Sequence, residues 1–291
     1  MKTRLTDDSF TPAGTRLRLR RMGYGTMQLS GPHVWGPPRD REAAIAVLRE
    51  AVERGVNHID TAQFYGPDVA NQLIREALSP YPDDLTLVTK VGFVRGADAS
   101  WQIDRSAAGL ERAVYENLDT LGLSTLDIVN LRLGAASEPD ESPFAESLEA
   151  LAGLQQRGLI RHIGLSNVTP EQFTEAKAIV DIVCVQNQYN LVSRSDDAFI
   201  DALAEEGVAY VPFFPLGGFT PLQSSLLNEI AEEASATPKQ TALAWLLQRS
   251  PNILVIAGTS SVAHLRENLA AASLSLSAEQ VLRLNEMVEN K

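Results

Sequence analysis

Short, nearly continuous apolar runs recur along the chain at Met22 to Met27, Val56 to Asp60, Leu85 to Lys90, Asp127 to Arg132, Leu159 to Ser166, Ile182 to Gln186, Val208 to Phe213 and Ile253 to Ala257. Runs of this kind read as strands buried on both faces. Between them the apolar positions take helical spacing. Asp40 is a natural N-cap for a helix that carries Ala43, Ile45, Ala46, Val47, Leu48 and Val52 until Gly55 stops it. The same reading gives helices over Val69 to Leu78, Ser106 to Leu121, Pro143 to Arg157, Pro170 to Ile179, Asp196 to Glu206, Lys239 to Gln248 and Val262 to Ala271. Strands separated by helices imply a parallel sheet covered by helices, and eight units without a break in composition favour closure. The predicted fold is α/β, a (β/α)8 TIM barrel. An N-terminal β-hairpin precedes it, with Pro12 to Thr15 as a turn and strict alternation from Arg16 to Arg20. Two extra helices, Leu222 to Ser235 and Ser277 to Val288, fall outside the repeat. No linker rich in Pro, Gly or Ser divides the chain, so residues 1–291 are expected to form one domain.

Composition narrows the partners. Lys and Arg number 25 against 37 for Asp and Glu, a net charge of -12, which argues against nucleic acid or anionic lipid. Cys184 is the single cysteine, and His33, His58, His162 and His264 lack the spacing of a zinc site. No structural metal is expected. Met1 to Asp8 has no apolar core of the signal-peptide kind, and no run of about 18 apolar residues occurs. The expectation is a cytoplasmic protein, monomeric or weakly self-associating.

A barrel of this kind builds its site at the carboxyl ends of its strands. There the chain carries Asp60 with Tyr65 in the following loop, Lys90, Arg132, Ser166 with Asn167, Gln186, Phe213, and Gly258-Thr259-Ser260. Packing alone does not require polar residues to gather at one end of apolar strands. A tyrosine beside an ammonium becomes a better proton donor, because the cation favours the phenolate. Lys90 is the candidate ammonium, and Asp60 the carboxylate that holds it.

These residues carry a resemblance. Gly25-Thr26-Met27, His58 to Ala62 with Tyr65-Gly66, Val88-Thr89-Lys90, Gly164 to Asn167, Gln186-Asn187 and Glu267-Asn268 resemble the aldo-keto reductases, from about Arg18 to Leu269. Within that family the chain is most similar to the bacterial pyridoxal reductase-like branch, through Asn57 to Gly66, Val129 to Arg132 and Pro212 to Gly218. The resemblance implies NADPH-dependent reduction of an aldehyde or ketone to an alcohol, with pyridoxal to pyridoxine a candidate reaction. Tyr65 would hand a proton to the substrate carbonyl as hydride arrives.

Arg132 departs from the family pattern, which has a histidine there. A guanidinium stays charged, so it can donate to a carbonyl oxygen but cannot serve as a base. It could instead hold an anionic group such as a phenolate, or turn outward to a loop.

For the cofactor, Gly23-Tyr24-Gly25 lacks the third glycine and helix entry of a dinucleotide fingerprint. By resemblance Ser166, Asn167 and Gln186 hold the nicotinamide amide and Phe213 stacks on its ring, with Thr26, Phe214 and Leu216 nearby. Glu267 and Asn268 then hold the adenine. Relatives place lysine at Gly258 and arginine at His264; here Gly258, Thr259, Ser260, His264 and Arg266, at the opening of a helix, are the 2'-phosphate candidates. NADPH is expected over NADH. Trp35, Phe64 and Trp101 are candidate substrate walls suited to a planar aromatic or small aliphatic aldehyde. Two other readings stay open: a cofactor-binding regulatory subunit, and a Schiff-base aldolase using Lys90.

Overall fold

The computed structural model describes residues 5, 8–134, 140, 142–218, 222 and 224–287. Most of the octapeptide Met1 to Asp8, and the expected helix positions Gln223 and Val288, lie outside them.

The chain opens with β1 (Ser9–Phe10) and β2 (Leu19–Arg20), paired antiparallel as the predicted hairpin. β3 (Tyr24–Gly25), α1 (Arg41–Glu53), β4 (His58–Asp60), α2 (Val69–Leu78) and β5 (Thr86–Val91) follow. A small hairpin that the sequence reading missed comes next, β6 (Phe93–Arg95) paired antiparallel with β7 (Trp101–Ile103). α3 (Ala107–Leu121), β8 (Leu126–Arg132), α4 (Ala145–Gln156), β9 (Ile160–Ser166), α5 (Pro170–Lys177), β10 (Ile182–Gln186), α6 (Asp197–Glu205) and β11 (Ala209–Tyr210) complete the alternation. The last part holds α7 (Ser225–Glu233), α8 (Pro238–Arg249), α9 (Val262–Ala270) and α10 (Ala278–Asn285).

Strands β3, β4, β5, β8, β9, β10 and β11 form one parallel sheet in that order. The predicted eighth strand is too short for a ladder of its own, but it closes the sheet through two parallel bridges, Tyr210 with Ile253 and Met22 with Val255. Four backbone bonds carry the seam: Leu254 N to Tyr210 O at 2.8 Å, Tyr210 N to Asn252 O at 2.9 Å, Gly23 N to Val255 O at 2.7 Å and Val255 N to Arg21 O at 2.8 Å. Arg21 reinforces it by donating to the carbonyls of Ile253, Leu247 and Ser250.

Helix starts follow local chemistry. Asp40 accepts from Ala43 N and Ser106 from Gly109 N, while Thr169, Thr237 and Ser277 form reciprocal capping boxes with Gln172, Gln240 and Gln280. The larger apolar core fills the space between sheet and helices. A second cluster, including Val88, Ile128, Cys184, Val211, Leu254 and Ile256, fills the barrel interior, and Leu19 of the hairpin plugs it from below. The hairpin therefore blocks the amino-terminal end of the barrel and leaves the carboxyl-terminal end open for chemistry. Gly23 has its own reason to lack a side chain, since a Cβ there would lie 2.1 Å from His58 Nε2. Burial pushes the Cys184 thiol up to about 12, so the single cysteine stays protonated.

Burial also pushes His58 down to about 4, against a smaller opposing pull from the Arg20 backbone. The unfolded chain then binds a proton near pH 6.5 that the folded chain refuses until about pH 4, so stability falls as pH drops through that window. The shift corresponds to roughly 3 kcal/mol. Urea unfolding at a series of pH values should show this extra acid sensitivity in the wild type and not in His58→Leu; parallel curves would remove His58 as its source.

Candidate active site

The apolar strands deliver their last residues to one mouth. Asp60 ends β4, Lys90 lies one residue short of the end of β5, Arg132 ends β8, Ser166 ends β9 and Gln186 ends β10. Lys90 Nζ donates to Asp60 Oδ1 at 2.5 Å and to the Thr61 carbonyl at 2.9 Å, and both side chains of the pair are only 4% exposed. Burial pulls Lys90 down, but the Asp60 carboxylate, helped by Tyr65, outweighs it and holds the ammonium above its ordinary value. Lys90 is thus a locked cation. A Schiff-base nucleophile has to be a free amine, so the aldolase reading fails on this geometry.

Tyr65 follows β4 in a tight turn, its N–H bonded to the Ala62 carbonyl at 3.0 Å. Its ring centroid is 5.0 Å from Lys90 Nζ, so the phenol and the ammonium are close neighbours at the mouth. Arg132 turns inward. Its Nη1 donates to Ser166 Oγ at 3.1 Å, and its guanidinium lies 5.1 Å from the Phe213 ring and 5.8 Å from that of Phe93. Burial lowers it from the usual arginine value, opposed by Tyr65 and Asp60, and it remains a cation.

The cofactor candidates divide. Gln186 is tied into the site more closely than expected: its Nε2 donates to Asp60 Oδ2 at 2.8 Å, while its Oε1 is buried without a hydrogen-bond partner among the described residues. Asn268 Oδ1 is in the same condition. Two buried orphan acceptors at the positions named for a carboxamide and an adenine amine fit a nicotinamide dinucleotide, since such atoms are costly to leave unpaired. Asn167 sits beside Ser166 with φ +61°, its N–H on the Gln186 carbonyl at 2.9 Å. Phe213 and Phe214 meet edge to face at 5.2 Å, with Phe214 at φ +55°, and Leu216 packs against the main core.

Four of the candidates have other contacts in this structure. Thr26 is buried and its hydroxyl donates to Thr61 Oγ1 at 2.9 Å. Arg266 binds Glu50 Oε1 of α1 at 2.8 Å; two residues past His264, it projects from a different helix face. Glu267 is engaged by Thr237 Oγ1 at 2.7 Å. Phe64 is 3% exposed and stands behind Tyr65 as support rather than as a wall. Around the α9 opening, Thr259 Oγ1 accepts from Ser261 N at 3.1 Å, and Ser260 and His264 are exposed. A Cβ at Gly258 would fall 2.6 Å from the Gly25 carbonyl, which explains the missing lysine there.

Sequence reasoning also missed Arg95. Its Nη1 donates to Val34 O and its Nη2 to Ala99 O, both at 2.8 Å, with its guanidinium 4.0 Å from the Trp101 ring and 5.0 Å from Trp35. Trp101 is 46% exposed and meets Phe64 edge-on at 5.6 Å. Alternation through Phe93 to Arg95 and Trp101 to Ile103, about Gly96, was the available signal.

The comparisons agree with this geometry. The sequence profile of the Aldo/keto reductase family matches residues 21–289. The chain is 62% identical over 283 residues to pyridoxine 4-dehydrogenase of Escherichia coli K12, covering 97% of this chain and 98% of that one. A thermostable aldo-keto reductase solved with the inhibitor epalrestat superposes with a TM-score of 0.81 at 30% identity, over 96% of this chain and 99% of that one. An aldo/keto reductase from Klebsiella pneumoniae, solved with NADP and acetate, shares the fold with a TM-score of 0.79 at 24% identity, over 96% and 95% of the two chains.

Removing Asp60 strands a buried cation, a loss of about 3–5 kcal/mol. Asp60→Ala should lower the unfolding free energy extrapolated from urea melts by that much, and Asp60→Ala with Lys90→Met should recover part of it. A double variant no more stable than the single one would sink the pairing as the cause.

Proposed function

The chain belongs to the aldo/keto reductase family and is an oxidoreductase; from that premise we propose that it reduces an aldehyde to the alcohol with NADPH. The whole chain, residues 1–291, acts as a single barrel domain in this reading. The observation that carries it is the Tyr65 phenol beside an ammonium that Asp60 keeps charged and immobile.

Tyr65 donates its proton to the carbonyl oxygen, and Lys90 stabilises the negative charge left on the phenol oxygen. Arg132 donates a hydrogen bond to the same carbonyl oxygen while keeping its own proton. Ser166 orients Arg132 and, with Asn167 and Gln186, would hold the nicotinamide carboxamide; Gln186 Oε1 would accept from its NH2, and Asn268 Oδ1 from the adenine amino group. Phe213 offers a stacking face for the ring. Bound there, NADPH supplies the hydride. Trp35 and Trp101 line the approach.

NADPH is preferred over NADH through the opening of α9, where Thr259, Ser260 and His264 with the helix N-terminus meet the 2'-phosphate. Without Arg266 the preference is modest. A pyridine aldehyde such as pyridoxal suits the aromatic mouth, and the likeness to pyridoxine 4-dehydrogenase supports it as substrate. The intact Asp60, Lys90 and Tyr65 set disfavours a purely regulatory role.

Following NADPH oxidation at 340 nm with an aldehyde panel that includes pyridoxal tests the reading directly, the wavelength being about the usual reduced-nicotinamide band. Tyr65→Phe should abolish turnover, while NADPH binding, followed by tryptophan quenching, changes less than about threefold. Retained turnover would remove Tyr65 from the mechanism. Equal dissociation constants for NADPH and NADH would overturn the cofactor preference.

A further inference from the structure

Arg95 ends β6, on the rim of the barrel mouth. Among the described residues no carboxylate pairs with it, and its charge is directed instead to carbonyl oxygens and ring faces. Nη1 donates to Val34 O and Nη2 to Ala99 O, both at 2.8 Å, with a longer contact from Nη2 to His33 O at 3.4 Å. The guanidinium lies 4.0 Å from the Trp101 ring and 5.0 Å from that of Trp35. One planar group therefore joins the β3–α1 loop, which carries His33 to Trp35, to the tip and the second strand of the β6–β7 hairpin. Holding carbonyls on two different segments at once is work for a rigid fork of N–H groups rather than for a point charge.

Both segments lead to Tyr65. Val34 O receives a second donor, the N–H of Gly66 at 3.2 Å, and Gly66 follows Tyr65 directly. Gly36 N returns the contact to Gly66 O at 2.8 Å, and Trp35 bridges to Gly66. Through the hairpin, Trp101 meets Phe64 edge-on at 5.6 Å, and Phe64 meets Tyr65 edge-on at 5.4 Å. The backbone and the ring of the proton donor are thus reached from the same guanidinium by separate routes. Val34 itself holds φ +58°, which a β-branched residue adopts only when its surroundings impose it. The carbonyl that Arg95 pins belongs to that residue, so removing the pin lets the strained turn relax and carry Gly66 with it.

We propose that Arg95 is the positioning residue for Tyr65: by pinning the Val34 and Ala99 carbonyls together between the two indoles, it locks the β3–α1 loop and the β6–β7 hairpin around the phenol. The proposal rests on the carbonyl-reductase reading and adds to it a residue that acts through another. Proton transfer to a carbonyl needs donor and acceptor within hydrogen-bond reach, and a displacement of about 1 Å can cost on the order of a hundredfold in rate. Arg95 governs that distance and leaves the cofactor alone, because Ser166, Gln186 and the opening of α9 stand on other elements.

The test uses Arg95→Met, which keeps an apolar stem and removes the fork, and Arg95→Lys, which keeps the charge and loses the plane. Single-turnover reduction of an aldehyde by enzyme already loaded with NADPH should slow by about tenfold or more in both. The NADPH dissociation constant should change by less than about threefold, which separates mispositioning from a general loss of structure. A second reading needs no turnover: magnetic resonance of protein carrying a carbon isotope at tyrosine Cζ, where Tyr65→Phe identifies the Tyr65 signal. In either variant that signal should shift or broaden, while those of the buried Tyr189 and Tyr210 stay in place. An unmoved Tyr65 signal in both variants would overturn the proposal whatever the rates did. Wild-type rates in both, or a fall in NADPH affinity as large as the fall in rate, would overturn it too. Should Arg95→Met not fold, Arg95→Lys carries the same two readings. A wild type inactive on every aldehyde would instead overturn the reductase reading, and the Tyr65 signal would still report on Arg95.

Discussion

The buried pair of Asp60 and Lys90 is the contact on which the mouth of the barrel depends. Taking two charges out of water costs several kcal/mol per ion, and their attraction repays it only when the remaining bonding capacity of each is filled. Here two further bonds do so: Lys90 also donates to the Thr61 carbonyl, and Gln186 donates to the second oxygen of Asp60. The pair consequently ties the ends of β4, β5 and β10 together. Arg132, held by Ser166 at the same mouth, brings a second cation to the site.

The rim is organised around the same tyrosine. Val34, Ala62, Phe64, Tyr65 and Phe93 form a small apolar cluster of their own, separate from the main core. His33 and Val34 both hold φ near +58°, an expensive conformation for a β-branched residue. The surroundings over-determine it: Trp35 bridges to Gly66, Gly66 N meets Val34 O at 3.2 Å, and Arg95 grips the Val34 carbonyl. Strain of this sort, paid beside Tyr65, holds the phenol's loop in one place.

Much of this could be read from the chain. Fully apolar strands and capped helices leave a strong periodic signal, so α2 and β10 fall at the expected residues and the polar strand ends converge as anticipated. Contacts between elements were less legible, because helix phase and side-chain direction decide them. Arg266 has the charge for a phosphate but projects toward Glu50, and Thr26 has the hydroxyl for a ligand but turns to Thr61. Gln186 was named for the right neighbourhood, yet its grip on Asp60 spans 126 positions and has no local signature. The β6–β7 hairpin was missed for another reason: its strands are three residues each and β7 is exposed throughout, so they bury too little to stand out against a loop.

The seam that closes the barrel also dictates an order of events. Arg21 and Ile253 are 232 positions apart, and β3 has no partner on its open side until that late segment arrives. At a synthesis rate of about 5–20 residues per second, a nascent chain carries an unpaired parallel edge for roughly 10 to 50 seconds. During that interval the edge is open to pairing with other chains. The last fifth of the chain therefore does more than add helices: its emergence turns a curled open sheet into a closed one, and with it a sticky intermediate into a finished protein.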